Sequence, residues 1–187
     1  MRRASWIPLL LMAGLAAAAG PDYESAARKI ALVREERAAP GSRIRLSLKE
    51  INAYAAVEAL KAVPEGLSAP RVELGRGTAT GHAWVDFAKV KQSKGEPPGF
   101  LFAWLLAGER PVQATARIVS GKGRATVHLE ELRLAGVPAK GVVLDFLIQN
   151  FLLPYYPKAV LGQPFELQHR VERFDITPSG VTVYIAR

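Results

Sequence analysis

The chain has no cysteine. That excludes disulfides, zinc–thiolate centres, a cysteine nucleophile and a lipid-modified N-terminal cysteine. Only three histidines occur, His82, His128 and His169, each in a strand-like segment and no two at ligand spacing, so no metal site is expected. No serine sits in a G-x-S-x-G elbow. "GRGTATG" and "GKG" lack the lysine–serine pair of a P-loop and do not open a helix, so phosphate cradling is not expected. The acids of "LEE" at 129–131 are adjacent strand residues, which point to opposite faces unless a bulge reorients them. Asp145, alone in an apolar stretch, is the best candidate for a buried proton-transfer group; a cap or an arginine partner is the plainer role. No catalysis and no cofactor are expected.

Long apolar runs are scarce as well. One, Trp6 to Leu15, lies in "MRRASWIPLLLMAGLAAAAG", behind two arginines and ahead of small residues. A charged start, a short greasy stretch and an A-x-A site form a secretory signal layout, with Ala17-Ala18-Ala19 at the cut and Gly20 first in the mature chain. The alternative is an uncleaved anchor, although the stretch is shorter than the ~20 residues of a span. Either way the body is expected outside the cytoplasm, in the periplasm or membrane-associated on its periplasmic side. An exported chain without disulfides fits a bacterial envelope better than a eukaryotic secreted module. Acids are the minority, 17 against 25 lysines and arginines, for a net charge of +8 over 187 residues. Without positions 1–19 the balance is 23 to 17, or +6. The basic residues are scattered, so nucleic acid is not expected and phosphate headgroups remain as anionic partners.

What is present is one domain's worth of patterned segments. Positions 20–42 read as a helical N-terminal segment, with a helix from Tyr23 to Ala38, a Glu24–Arg28 pair four apart and "AAPG" as its stop. Positions 43–187 read as a single domain. "GSRIRLSL" sets Ile44, Leu46 and Leu48 against Arg43, Arg45 and Ser47, a short strand. Ser47 and Glu50 have the spacing of a capping box for the helix "LKEINAYAAVEALKAV", which ends at Pro64. "RVELGRGTATGHAWVDFAKV" gives strands, with Ala83, Val85 and Phe87 on one face and His82, Trp84 and Asp86 on the other. "KQSKGEPPG" is a loop. "PVQATARIVS" and "RATVHLEELRLAG" form an antiparallel hairpin across "GKG", with a β-bulge at Glu130-Glu131. A helix that is apolar nearly all round follows, from about Ala139 to Leu153, ended by Pro154 and Pro157; such a helix is enclosed by something. "FELQHRVERFDI" and "VTVYIAR" close the chain across "TPSG". Strands in runs with helices set apart predict α+β with a mostly antiparallel sheet.

Two apolar surpluses remain, at 100–106 and 142–156. "GFLFAWLLAG" holds six large apolar side chains, and burying them is worth on the order of 10 kcal/mol. The run is too short to cross a ~30 Å bilayer core, so it either fills a core or forms a lip that meets lipid.

The order of features resembles the small bacterial envelope proteins of the TULIP (tubular lipid-binding) type, especially the half-length YceB-like and LmeA-like groups. "LSLKEINAY", "ATGHAWVDFAKV", "GKGRATVHLEELRLAGVP", "FLIQNFLLPYYP" and "VERFDITPSGVTVYI" carry the resemblance, over roughly positions 43–187. It implies a curved antiparallel sheet wrapped around a long apolar helix, an apolar groove for acyl chains, and no catalysis. The YceB-like proteins are anchored through a lipidated cysteine, which this chain lacks.

The sequence-based expectation is therefore a non-catalytic envelope protein that binds or shuttles a lipid or other apolar molecule, with peripheral membrane contact. The groove is expected between the sheet face of Val85, Phe87, Val112 and Ile118 and the long helix with Leu144, Phe146, Leu147 and Phe151. Phe100, Trp104 and Leu105 are expected to close the core or form the lip. The alternatives are a scaffolding module with a closed core and an enzyme built around Asp145.

Overall fold

The computed structural model describes residues 20–62, 65–93, 107–149 and 161–187. The leader expected at 1–19 and the apolar run at 100–106 lie outside them.

Helix α1 (Pro21–Arg34) opens with Pro21 in its first turn, beside Asp22 and Glu24, and carries Arg34 in its last, charges that suit the helix dipole. It stops four residues before the expected Ala38. The chain turns at Glu35-Glu36, with Glu36 at φ 55°, and Ala38 is instead buried against a sheet. Strand β1 (Arg43–Ser47) runs straight into helix α2 (Leu48–Ala62). Both arms of the expected capping box form: the Glu50 N–H donates to Ser47 Oγ at 3.2 Å, and the Ser47 N–H donates to Glu50 Oε2 at 2.8 Å.

Strands β2 (Leu67–Leu74) and β3 (Thr78–Asp86) follow. The strand expected to run through Phe87 ends at Asp86, and Phe87 opens helix α3 (Phe87–Ser93). Asp86 Oδ1 accepts from the backbone N–H groups of Ala88 (3.1 Å) and Lys89 (3.2 Å), satisfying donors that a new helix leaves orphaned. Removing this cap with Asp86→Ala is expected to cost about 1 kcal/mol, read as a lower urea midpoint at unchanged m-value.

Strands β4 (Glu109–Gly121) and β5 (Arg124–Leu134) form the expected hairpin. Its turn places Lys122 and Gly123 at φ 54° and 73°, the left-handed pair of a type I′ turn. The ladder slips between Thr115 and Ala116, leaving Glu130 as the extra residue of the expected bulge. Strand β6 (Val137–Pro138) precedes helix α4 (Val142–Leu147). Of the long apolar helix expected over 139–153, helical structure is described from Val142 through a wider turn at Gln149; the remainder falls outside the described residues. The last segment divides into β7 (Pro164–Glu166), β8 (Val171–Thr177) and β9 (Gly180–Ile185). His169 and Arg170, at φ 57° and 59°, break what the sequence suggested was one strand before "TPSG".

These strands make two sheets, β1-β9-β8 and β2-β3-β4-β5, the latter extended by β6 and β7 beside β5. Every strand ladder is antiparallel. The sheets are joined where β8 meets the tip of β4: Ser120 Oγ accepts from the Phe174 N–H at 2.8 Å and donates to its carbonyl at 3.0 Å. The fold is α+β with a mostly antiparallel sheet. Its core has two centres. One gathers Phe87, Leu134, Ala139 and Leu147 under the larger sheet; the other gathers Ala38, Val171, Val183 and Ile185 under the smaller.

Candidate functional site

The smaller sheet shows why strict alternation matters. In β1, Ile44 and Leu46 point inward while Arg43 and Arg45 point out; in β9, Val181 and Val183 point inward opposite them. On β8, Phe174 and Ile176 complete the inward face. The outward face is cationic and aromatic. The guanidinium of Arg173 lies 3.5 Å from the Tyr184 ring centroid, and that of Arg43 lies 5.3 Å from it.

Helix α1 crosses over the inward face. Ala26, Ile30 and Val33 fall at the i, i+4, i+7 spacing of one stripe; Ala26 is fully buried, and Ile30 and Val33 face the sheet. The tips of β2, β3 and β4 supply Val72, Leu74, Ala79 and Ile118 from below. These surfaces do not close on one another. They leave a cavity of about 530 Å³, whose remaining apolar lining comes from Ile51, Leu167 and Val171. Polar groups occur only among Lys29, Arg34, Gln168 and His169. A space of this kind disfavours water, which needs polar partners, and suits an apolar guest; ligand pockets span roughly 300–1,000 Å³.

One buried polar cluster fixes α1 over the cavity. Glu50, 6% exposed, accepts from Ser25 Oγ at 2.5 Å and from Lys29 Nζ at 2.6 Å. Lys29 Nζ also donates to the Arg45 carbonyl at 2.8 Å. Burial raises the Glu50 pKa, but the hydrogen bonds from Lys29, Ser25 and Ser47 outweigh it and hold the carboxyl at about 2. Farther along, Tyr23 stacks on Tyr54 with ring centroids 5.8 Å apart, and its hydroxyl donates to Glu58 at 2.9 Å. Lys61, 2.7 Å from the same Glu58 oxygen, and the Tyr23 hydroxyl together lower the Glu58 pKa.

Of the residues singled out from sequence, Ile118 lines this cavity. Val85, Phe87, Val112, Phe146 and Leu147 do come together, but in the cluster around Leu134 and Ala139, where Phe87 is 4% and Leu147 6% exposed. Leu144 lies on α4, half-buried. Phe100, Trp104, Leu105 and Phe151 lie outside the described residues. Asp145 is exposed on α4. The α1 stripe and the inward faces of β1, β8 and β9 were missed as a site. Their signal was the alternation at Ile44 and Leu46 and at Val181 and Val183, which sequence reading uses to place strands.

Among the described residues, no group of three histidine, aspartate or glutamate side chains is disposed to hold a metal, and no helix is long and apolar enough to cross a membrane. No family model and no curated protein matches the chain.

Proposed function

We propose that the chain is a non-catalytic, exported envelope protein of the tubular lipid-binding type. It holds the acyl part of a lipid, or another apolar molecule, in the cavity between α1 and the smaller sheet. The observation that carries this reading is the cavity of about 530 Å³ with an almost wholly apolar lining. Left empty, it forfeits contacts that a close-packed interior normally makes. Arg34 also lines the cavity, beside Gln168, and its guanidinium suits an anionic headgroup. The cluster of Leu147 with Phe87, Leu134 and Ala139, against which Val143 and Phe146 of α4 and Val85, Val112 and Leu132 of the sheet all pack, supports a further part of the reading. In it, α4 continues as the longer apolar helix and the larger sheet curves around it.

Native mass spectrometry tests the proposal. Full-length protein, stripped of lipid and incubated with phosphatidylglycerol–phosphatidylethanolamine liposomes, is expected to acquire adducts of phospholipid mass. Val33→Trp, which fills the cavity from α1, is expected to reduce them strongly while the fold persists by circular dichroism. A clean apo mass for the wild-type chain would remove the lipid reading and leave the scaffolding one.

A further inference from the structure

The outward face of the larger sheet carries a polar row that an apolar cargo does not use. Arg71, His82, Gln113 and Arg133 stand in direct register across β2, β3, β4 and β5. At ~4.8 Å between strands, the row is about 14 Å from end to end. On one side of it, Trp84 pairs with Pro111, and Trp84 is 46% exposed. On the other side, the hydroxyls of Thr80 and Thr115 bond at 3.1 Å, flanked in register by Glu73 and Glu131. The row and the Trp84–Pro111 wall border a second cavity, of about 510 Å³.

The charges in this cavity are already answered. Arg71 Nη2 lies 2.7 Å from Glu73 Oε1, and Arg133 Nη1 lies 2.9 Å from Glu131 Oε1. Arg133 also donates from Nε and Nη2 to the Gly136 carbonyl, at 3.2 and 2.9 Å. Each arginine of the wall is thus already paired with a carboxylate on the same face of the sheet, and neither is left as an unpaired charge for an ionic ligand. At the centre, the Gln113 amide offers donors and an acceptor and makes no hydrogen bond to another described residue. His82 Nε2 stands 3.5 Å from Glu73 Oε2 and is buried without a hydrogen bond. A buried, unbonded polar atom beside a free amide is unusual in a folded protein.

A neutral ligand rich in hydroxyls fits these terms, because each hydroxyl both donates and accepts. The C–H face of a sugar ring carries slight positive charge, which complements the electron-rich face of an indole. We propose that this cavity binds neutral carbohydrate. A short oligosaccharide lies along the row, one ring rests on Trp84, and ring hydroxyls exchange hydrogen bonds with Gln113 and the ordered arginines. The site lies on the outward face of the larger sheet, away from the cavity beneath α1, and it stands whether or not that cavity takes lipid.

Isothermal titration calorimetry of the full chain tests it. Cellotetraose, maltotetraose and tetra-N-acetylchitotetraose serve as neutral probes and a heparin tetrasaccharide as the anionic one, at low and at high sodium chloride. At least one neutral probe is expected to bind with an affinity that salt leaves unchanged. Trp84→Ala is expected to weaken that binding about tenfold or more, and Gln113→Ala to weaken it as well. Because Trp84 is half exposed, its truncation is expected to leave the melting temperature near that of wild type, and Trp84→Phe is expected to restore part of the affinity. Silence with every neutral probe overturns the proposal. So does salt-sensitive binding of heparin alone, or Trp84→Ala binding as tightly as wild type.

Discussion

Glu50→Ala is expected to lower the unfolding free energy by about 3–5 kcal/mol, because it removes the buried charged acceptor that Ser25, Lys29 and the Ser47 N–H share. Three backbone and side-chain hydrogen-bond partners, Ser25, Lys29 and Ser47, converge on this one carboxylate, which is 6% exposed. Its folded pKa of about 2 lies below the ordinary 4.5. The group therefore contributes its full stability above pH 4.5 and loses it as pH falls toward 2, a contribution of about 3 kcal/mol. Urea unfolding followed across that window is expected to show the wild-type chain losing stability more steeply than Glu50→Gln, whose amide does not titrate. Parallel curves would show that the cluster does not hold the carboxylate ionised. The same loss reaches the cavity, since Ser25 and Lys29 are the points at which α1, one of its walls, is tied to the start of α2. Lipid release by native mass spectrometry is accordingly expected to begin in the same pH window.

The parts of this fold that were legible in the sequence are those fixed by local chemistry. Ser47 and Glu50 announced the α2 capping box by spacing alone, and the doubled acid Glu130-Glu131 announced the bulge by interrupting an alternation. Where two local signals compete, the reading slipped. Asp86-Phe87 continues the β3 alternation, yet Asp86 is also a good N-cap, and the cap wins because β3 has reached the end of its pairing with β4 at Glu109. Likewise, nothing local announced that His169 and Arg170 would adopt left-handed backbone and divide a strand. The cavity was harder still. Its walls come from positions as far apart as Ile30 and Val183 and exist only because α1 lies across β1 and β9. Apolar richness singles out Val85, Phe87, Phe146 and Leu147, yet rich segments pack well, and these form a core cluster. A cavity arises where modest aliphatic faces fail to meet, which composition does not register.

Gly180→Val is expected to be as damaging as loss of the Glu50 carboxylate, about 3–5 kcal/mol, although it adds only apolar atoms. Gly180 begins β9 at φ 154°, a region that side-chain-bearing residues rarely adopt. It is buried, and it pairs with both Ser47 of β1 and Thr177 of β8, so all three strands of the smaller sheet meet there. A Cβ at this position would collide with the Leu46 carbonyl oxygen and stand 3.0 Å from Ser47 Cα. Both are backbone, and neither can rotate away. Relief requires β1 to leave β9, which moves Ser47 off the Glu50 cap and Leu46 out of the cavity wall. Gly121→Ala is the control: no heavy atom lies within 4 Å of its added Cβ, and its backbone is ordinary, so its effect is expected to stay within about 0.5 kcal/mol. Thermal unfolding of the two variants side by side separates close approach from the general cost of losing a glycine. Equal melting temperatures would mean that the junction of β1, β8 and β9 yields to a side chain, and that the smaller sheet is not the rigid wall the cavity requires.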